Sequence, residues 1–529
     1  MTIDRFGVPH AFPTRHSNRV PCRSAIALAA MLASGVLHAQ SSDATATAAT
    51  PTDAPSAAQT GQPTKPTKLK TAAATVTLAA ADAPLQQAST DRPSVQQGIP
   101  STDQLGVSHI GDATPSPAPG PRQGLFAGIG QKLNDWGFTP SLNLVQMYLA
   151  NPSVGQQTGN HEALTFIAVG GDFDMEKIAG FPGATIHFQQ LFVPFTNNLA
   201  WGTQVGDVLA GQPGPYVPQV SHLGIFTWEQ KAFHDKLDVE FGKTNAGAYF
   251  GAPVCNQGFG CQSAILQNSA GMNPPVYVNW GGRARYNITP AWSVQAGLFR
   301  SNPAYPFTNG WEWTNSVPDS NVWLASTAYR TTYQSDPYPK SYELMLYYNT
   351  RTQTDPFTQD THKGTSGIYF GGRQVVWRAD GGQAGAPDPT AVSLFATATG
   401  SFDAHSSYGL AMTGSAGVIV EAPLRSRPHD SFSISLNWAT LTPHEQEYLK
   451  QENLAAGGSG YTVGRTQYGL KIDANIALTR SIVLSPYVMR TWNTSTWGNP
   501  AYTATPKNGI VAGIVASVFF DKMLGLTDR

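Results

Sequence analysis

The stretch DSFSISLNWATLT, residues 430–442, decides how the rest of the sequence is interpreted. Large apolar side chains alternate in it with small or polar ones, and a period of two is typical of a β-strand. One face carries Phe432, Ile434, Leu436 and Trp438, and the other carries Ser433, Ser435, Asn437 and Ala439. In a soluble sandwich the apolar face would point into a protein core. In a membrane barrel it would point to lipid, and the polar face would line a lumen.

The composition favours the membrane alternative. Only 13% of the 529 residues are charged, against about 25% in typical soluble proteins. Aromatic residues make up 10% of the chain, and glycine occurs 52 times. The formal net charge of -1 excludes an electrostatic case for nucleic-acid binding. A secreted β protein with a Ser/Thr/Asn-rich surface stays open at this point.

The amino terminus predicts export. Arginines 15, 19 and 23 precede the apolar stretch 25–37, which has the length of a signal-peptide core and is too short to span a bilayer as a helix. We therefore predict a signal peptide over 1–39, with cleavage after Ala39. Residues 40–121 are rich in Ala, Thr, Ser and Pro and contain no aromatic residue. Such a segment cannot bury enough apolar surface to fold, so a disordered leader is expected there.

Two cysteines remain after the signal, Cys255 and Cys261 in PVCNQGFGC. In an oxidising compartment they are expected to form a disulfide that closes a small loop. A zinc site would need more ligands nearby, and none is visible in the sequence around them. We predict neither a metal site nor a cofactor.

An amphipathic helix is predicted just before the β-rich part. In GLFAGIGQKLNDWGF, residues 124–138, apolar side chains recur at helical spacing and Gly137 stands where a helix would end. After Pro140 about sixteen strand-like segments follow. Short joints such as NITPAW alternate with long Gly/Pro/Trp-rich stretches, the pattern of an outer-membrane barrel with short turns on one side and long loops on the other.

The positions of the charges support the barrel. In KLDVEFGK, GGRARYN and TQYGLKIDANIAL the charged residues share one face and the apolar residues the other. An arginine that faced lipid at the midplane would cost roughly 2–4 kcal/mol, and in a wet lumen it costs little. The aromatic strand ends, Tyr286, Tyr348, Trp438 and Trp492, suit interfacial girdles. No run of 18 apolar residues follows the signal. We therefore predict an all-β fold, a transmembrane antiparallel β-barrel of about sixteen strands with a short N-terminal amphipathic helix.

One segment carries a family resemblance. GGDFDMEKIAGFPGATIHFQ, residues 170–189, resembles the turn and following strand of the carbohydrate-selective porins (OprB-type) of Gram-negative outer membranes. DWGFTP, LDVEFGKTNAGAYFG, GGRARYNITPAWSVQAG and LSPYVMRTWN are similar to that family as well. The resemblance covers roughly residues 123–520. It implies a monomeric sixteen-stranded barrel in the outer membrane that passes sugars by facilitated diffusion.

The boundaries follow from this resemblance. The porin domain is expected over 122–520, with a C-terminal extension over 521–529. Barrels of this kind usually end in an aromatic residue that assists assembly. Here the last aromatic-ended strand stops at Phe520 and DKMLGLTDR follows. The sequence departs from the family pattern at this point.

Mixed charges on the lumen side are the candidate sugar-binding groups, because they offer donors and acceptors to neutral polyols without repelling either sign. The candidates by alternation are Asp238, Glu240, Arg283, Arg285, Glu343, Lys471 and Asp473. Arg373 and Trp377 stand four residues apart in GGRQVVWR and are expected to share that face. The alternative is that these charges only solvate the lumen wall. Trp311 and Trp313 either form a platform at the pore mouth or pack within their own loop.

Other classes of protein fit less well. Asp172, Asp174 and Glu176 could suggest paired catalytic acids, but their place at a turn favours a structural role at the periplasmic rim. G-x-S-x-G, H-E-x-x-H and Walker motifs are missing from the sequence, so an enzyme is not predicted. A general or organic-acid porin and a soluble carbohydrate-binding protein remain the alternatives. The expected partners are sugars as transported solute and outer-membrane lipid, with no nucleic acid.

Overall fold

The computed structural model describes residues 124–527. Within that range, residues 212–219, 258–262, 274–276, 303–307, 315–319, 332, 334, 383–389, 404 and 425 are not described. The predicted signal peptide, the leader and Cys261 lie outside the described residues. They stay predictions.

Sixteen antiparallel strands form one closed barrel in which each strand pairs with its neighbours in sequence and β1 pairs with β16. The strands are β1 Phe138–Asn151, β2 Asn160–Asp174, β3 Ala184–Thr196, β4 Ser221–Ala232, β5 Leu237–Thr244, β6 Asn279–Asn287, β7 Trp292–Ser301, β8 Ser320–Arg330, β9 Lys340–Thr354, β10 Thr361–Arg378, β11 Ala391–Ser401, β12 Leu410–Glu421, β13 Ser431–Leu441, β14 Thr466–Thr479, β15 Ile482–Trp492 and β16 Gly509–Phe519. Closure leaves no free sheet edge, as a strand-built membrane span requires. The predicted fold class is confirmed.

The helices are short and lie between or outside the strands. They are α1 Ala127–Trp136, α2 Met175–Ala179, α3 Trp201–Val205, α4 Ala264–Asn268, α5 Pro443–Ala455 and α6 Phe520–Leu524, together with a 3₁₀ helix over Ala246–Ala248. In the described part of the chain, no helix has the length and apolarity needed to cross a bilayer.

The opening stretch shows which solvent each face of the barrel meets. On β13, Phe432, Ile434 and Leu436 are 44–47% exposed, whereas Ser433 and Ser435 are at most 6% exposed. The apolar stripe therefore points away from the protein, and the serines point into the barrel. A soluble sandwich would show the opposite exposures, because it gains stability by burying its apolar stripe. The outward stripe fits a lipid environment.

The two ends of the barrel differ in the length of their connections. At one end residues 233–236, 288–291 and 480–481 make tight turns, and at the other end the chain between β3 and β4, between β5 and β6 and between β13 and β14 is much longer. In outer-membrane barrels short turns face the periplasm and long loops face the exterior. This assigns the long-loop end of the barrel to the cell surface.

The two ends of the described chain meet at the turn end. The amide of Phe126, just before α1, donates to the carbonyl of Leu524 over 2.8 Å. A methyl group at Gly130 would come within 2.5 Å of the carbonyl oxygen of Gly525, so only glycine allows this approach. Asp521 accepts a bond from the amide of Leu142 on β1 over 3.3 Å. The residues after the last strand therefore connect the N-terminal helix with the first strand.

The connection from β5 to β6 enters the barrel. Its described residues, 245–257, 263–273 and 277–278, are here called the lumen loop and cross the interior. The hydroxyl of Tyr369 on β10 donates to the carbonyl of Ala252 over 2.9 Å. Gln257 donates to the carbonyls of Ala474 and Pro486 on β14 and β15, each over 3.0 Å. The loop thus bonds to the wall opposite its own strands.

Apolar packing also holds the lumen loop in place. Its buried residues join inward-facing side chains of the wall and of other long loops in one cluster. The cluster includes Phe250, Ile265 and Met272 from the loop, Val322, Leu324 and Met345 from β8 and β9, and Tyr448, Leu449 and Trp497 from the loop end. The interior of the barrel therefore has two kinds of surface. It is apolar where the lumen loop packs against the wall, and it is charged beside the loop.

Candidate functional site

Four of the predicted lumen residues meet on β5 and β6. In the strand register Glu240 stands opposite Arg283, and Asp238 stands opposite Arg285. The guanidinium of Arg283 donates to Asp238 over 2.9 Å and to Glu240 over 3.1 Å, and Arg285 donates to Asp238 over 3.0 Å. Regular alternation along both strands places all four on the inner face, as expected from the sequence. Their role in solute binding stays a prediction.

Arg283 is the centre of the cluster. Glu229 on β4 stands directly opposite Glu240 in the strand register, an arrangement of like charges that would be destabilising by itself. Arg283 lies between them, with Glu229 Oε1 at 3.8 Å and its guanidinium 4.8 Å from the centre of the Tyr249 ring. The one cation thus offsets three carboxylates and an unfavourable pairing.

Two hydroxyls fix the orientation of Glu240. Tyr249 donates to Glu240 Oε1 over 2.6 Å and Thr227 donates to the same oxygen over 2.7 Å. Tyr249 comes from the lumen loop, just after a 3₁₀ turn that Asn245 caps by accepting a bond from the amide of Gly247. The lumen loop therefore contributes directly to the charged cluster. Sequence reasoning missed Tyr249, because no periodicity places a loop residue on a strand face.

A second group of polar residues extends the cluster along β2, β3 and β4. His187 Nδ1 lies 2.8 Å from Asp172 Oδ1, and His187 Nε2 lies 3.5 Å from Glu229 Oε2. Lys231 Nζ lies 3.4 Å from the same oxygen of Glu229. His187, Glu229 and Lys231 were not predicted. His187 lies between Ile186 and Phe188 and could have been found by the same rule, whereas the polar Gln230 between Glu229 and Lys231 interrupts the alternation on β4.

The turn carboxylates divide into two roles. Asp174 caps α2 by accepting bonds from the amides of Glu176 and Lys177, which agrees with the structural role expected for this turn. Asp172 lies two residues earlier on β2 and contacts His187 instead. It therefore belongs to the charged cluster.

A cavity of about 630 Å³ adjoins the cluster on its turn side. The charged residues that line it include Asp172, His187, Glu229, Lys231 and Glu240, and Tyr249 lines it as well. The side chains of Asp172 and Lys231 are 40% and 42% exposed, whereas those of Asp238 and Arg283 are 1% and 8% exposed. A solute in the cavity therefore contacts Asp172 and Lys231. Asp238 and Arg283 lie buried behind them and hold the other charged groups in position.

Glu343 and Asp473 face inward as predicted, but their contacts hold the lumen loop. Glu343 accepts bonds from the amides of Gly251 and Ala252 over 3.3 and 3.2 Å. Asp473 accepts a bond from Asn256 over 2.8 Å and lies 3.2 Å from Lys471 Nζ. The predicted residues Glu343, Lys471 and Asp473 are therefore separate from the β5–β6 cluster.

The prediction that Arg373 and Trp377 share a face was wrong. The register of β10 against β11 shifts between Val375 and Trp377, so a β-bulge separates the two residues. A bulge adds one residue and reverses the alternation beyond it. Arg373 is buried inside the barrel, whereas Trp377 is 51% exposed on the outer side. Trp377 is not a lumen residue.

Arg373 forms a buried ion pair with Glu421 on β12. Ser393 donates to the same carboxylate over 3.1 Å and Tyr333 donates to its other oxygen over 3.4 Å. Both charged side chains are at most 4% exposed, so removing one leaves the other buried without its counter-charge.

Glu421→Ala is expected to destabilise the barrel by about 3 kcal/mol for this reason. The midpoint of thermal unfolding in detergent measures this loss, and the shift in electrophoretic mobility between folded and unfolded protein serves as the readout. Ser393→Ala is the matched control, because it removes one hydrogen bond to the same carboxylate and should cost about 1 kcal/mol. Equal losses in the two variants would contradict a buried ion pair.

Trp311 and Trp313 pack on the outer wall. Trp313 lies with its ring centre 5.5 Å from that of Trp280 and 6.2 Å from that of Phe226. Phe226 and Trp280 are exposed outward-facing strand residues. Trp311 donates from its indole to Gln190 over 3.0 Å. The pair therefore covers an aromatic patch near the rim and forms no platform at the pore mouth.

Cys255 is buried and disulfide-bonded. Its predicted partner, Cys261, lies outside the described residues. The pairing itself stays a prediction.

A closed barrel with an apolar outer wall and a charged interior that a long loop narrows is the architecture of an outer-membrane porin. Comparison with known families agrees. The model of the carbohydrate-selective porin OprB family matches residues 164–520. The chain belongs to this family, and it is an outer-membrane channel protein.

Several solved structures are similar to the chain, and the first of them shows the same fold. The high-pH structure of Pseudomonas putida OprB matches with a TM-score of 0.64 and 22% identity, over 75% of this chain and 97% of that one. The low-pH structure of the same protein gives a TM-score of 0.47 and 17% identity, over 75% and 96% of the two chains. The outer membrane channel DcaP of Acinetobacter baumannii gives 0.40 and 8%, over 72% and 97%. The comparison with curated protein sequences gave no match.

Proposed function

We propose that the chain lets small carbohydrates diffuse across the outer membrane, with the β5–β6 cluster and its neighbours as the constriction. The balance of charge beside the cavity is the observation that carries this proposal. Four carboxylates, Asp172, Glu229, Asp238 and Glu240, face Lys231, two arginines and His187. A site of this kind offers many donors and acceptors and little net field. It therefore favours neutral, hydroxyl-rich solutes.

The roles within the constriction follow from exposure. Asp172, His187 and Lys231 would bond sugar hydroxyls, and Tyr249 would present its ring edge and hydroxyl beside Glu240. Asp238, Arg283 and Arg285 would set the field and hold these groups. Glu343, Lys471 and Asp473 would position the lumen loop. Arg373 would stabilise the wall through Glu421, and none of these residues would perform chemistry on the solute.

A general or organic-acid porin is the second candidate. Lys231, Arg283, Arg285 and Arg330 lie on the same side of the lumen and could attract a carboxylate solute. We favour sugars, because a carboxylate lies close to each of these four cations. We further propose that the barrel works as a monomer and has no catalytic activity.

Single-channel conductance in planar bilayers tests the proposal. Stepwise addition of glucose or maltose is expected to reduce the ion current in a saturable way at millimolar concentration, while succinate at the same concentration has little effect. Saturable block by succinate with none by sugars would favour the organic-acid alternative. An ohmic current that neither solute reduces would indicate a general porin. The mass of the protein–detergent complex, measured at the concentration at which channels form, tests the proposed monomeric state.

A further inference from the structure

Three residues with metal-binding side chains meet among the long loops, away from the constriction. Asp355 lies in the connection from β9 to β10, His405 in that from β11 to β12, and His444 near the start of α5 after β13. These are three successive connections at the long-loop end of neighbouring strand pairs. The barrel order therefore brings together residues that are 39 to 89 positions apart in sequence.

Their ligand atoms converge on one point. Asp355 Oδ2 lies 2.7 Å from His405 Nδ1 and 2.6 Å from His444 Nδ1, and the two Nδ1 atoms are 3.1 Å apart. Three such atoms within 4.8 Å of one another could hold a single ion. In a tetrahedral zinc site, bonds of about 2.0 Å place neighbouring ligand atoms roughly 3.3 Å apart. To seat the ion, the two imidazole nitrogens would move away from the Asp355 oxygen by roughly 0.6–0.7 Å and from each other by roughly 0.2 Å.

The surroundings fix the ligands in this arrangement. The other oxygen of Asp355, Oδ1, accepts bonds from the amides of Phe357 and Thr358 over 2.9 and 2.8 Å, so Oδ2 is turned toward the two imidazoles. The amide of Thr442, which caps α5, donates to the carbonyl of Gly409 over 2.8 Å and ties the two histidine-bearing connections together. Hydrogen bonds to the second oxygen of a ligating carboxylate are typical of metal sites.

The exposure of the cluster leaves it open on one side. The side chain of Asp355 is fully buried, that of His444 is 32% exposed and that of His405 is 54% exposed. An ion could therefore enter from the medium, and water could complete its coordination. Two imidazoles with one carboxylate suit Zn²⁺ and related divalent transition metals, whereas Ca²⁺ and Mg²⁺ prefer oxygen ligands only.

We propose that Asp355, His405 and His444 bind one divalent transition-metal cation, with Zn²⁺ as the reference ion, at the cell-surface end of the barrel. The ion would link three loops, one of which carries α5. Helix α5 contributes Tyr448 and Leu449 to the apolar cluster that also contains the lumen loop. A bound ion would thus brace the layer of loops above the channel. The proposal is independent of which solute the channel passes.

Isothermal titration of the tag-free mature protein in detergent with zinc chloride tests this site. We expect one tight Zn²⁺ per chain and an association constant at least about 100-fold lower in His405→Ala and in His444→Ala, a loss greater than that of an outer-shell partner. His429→Ala is the matched control and should bind normally, because His429 is exposed in the turn between β12 and β13, at the opposite end of the barrel.

X-ray absorption at the zinc edge gives a second readout that does not depend on affinity. The proposal expects nitrogen and oxygen ligands with imidazole scattering in the wild type, and the loss of that signal in the double variant His405→Ala/His444→Ala. No binding to the folded wild-type protein would overturn the proposal. So would binding that survives the double variant, or binding that His429→Ala removes equally.

Discussion

Replacing Arg283 and Arg285 together with glutamine is expected to turn the channel into a strongly cation-selective one and to weaken block by sugars. The double variant keeps a polar hydrogen-bonding side chain at both positions and removes two positive charges from a cluster with four carboxylates. Only Lys231 and His187 would then offset Asp172, Glu229, Asp238 and Glu240. In a narrow passage with low-dielectric walls, a net charge of this size dominates ion permeation.

The reversal potential in a salt gradient measures this change. The wild type is expected to show weak selectivity, and the double variant a clear shift toward the cation potential. Arg480→Gln is the matched control, because Arg480 lies exposed in the turn between β14 and β15. If the double variant still shows the electrophoretic shift of a folded barrel and its ion selectivity equals that of the wild type, this cluster does not lie in the ion path.

Removing residues 250–272 from the lumen loop is expected to raise single-channel conductance severalfold. The described residues among them, 250–257 and 263–272, cross the interior between β5 and the opposite wall, and Phe250, Ile265 and Met272 belong to the apolar cluster. Without them the lumen would hold water, which carries the ion current. Deletion would also expose apolar wall residues such as Val322 and Met345 to that water. The variant should therefore be less stable to heat.

A milder variant distinguishes a lumen loop that is detached from the wall from a lumen loop that has been deleted. Asn256→Ala/Gln257→Ala removes the side-chain bonds to Asp473, Ala474 and Pro486 and leaves the rest of the loop intact. We expect a smaller rise in conductance with more current noise, because the loop would move within the lumen. Asn160→Ala is the control, because it removes a similar side-chain bond, from Asn160 to the carbonyl of Gln157 in the connection between β1 and β2. Conductance equal to that of the wild type in both loop variants would place the current path away from the loop.

The sequence could predict what depends on strand alternation. Along β5 and β6 the period of two is unbroken, so the inward set of Asp238, Glu240, Arg283 and Arg285 follows from the letters alone. The same rule failed at Trp377, because one extra residue in the β10–β11 register reverses the face and no residue type signals it. Alternation is a local rule, and a single bulge is enough to end it.

Contacts made by loops could not be predicted in this way. Tyr249 reaches Glu240 and Asn256 reaches Asp473 only because the lumen loop folds into the barrel. Loop residues have no fixed period, and their positions depend on packing across the lumen. The cluster of Asp355, His405 and His444 could not be predicted from the sequence for a related reason, since its members come from three separate connections.

Spin labels placed one at a time along β13 test most directly whether hydrocarbon lies outside this barrel and water inside. Each residue from 432 to 437 would be replaced with cysteine in a protein with Cys255→Ser and Cys261→Ser, labelled, and reconstituted in lipid. Positions 432, 434 and 436 should be more accessible to oxygen, which concentrates in the bilayer. Positions 433, 435 and 437 should show less oxygen access. The opposite alternation, or none, would contradict the account.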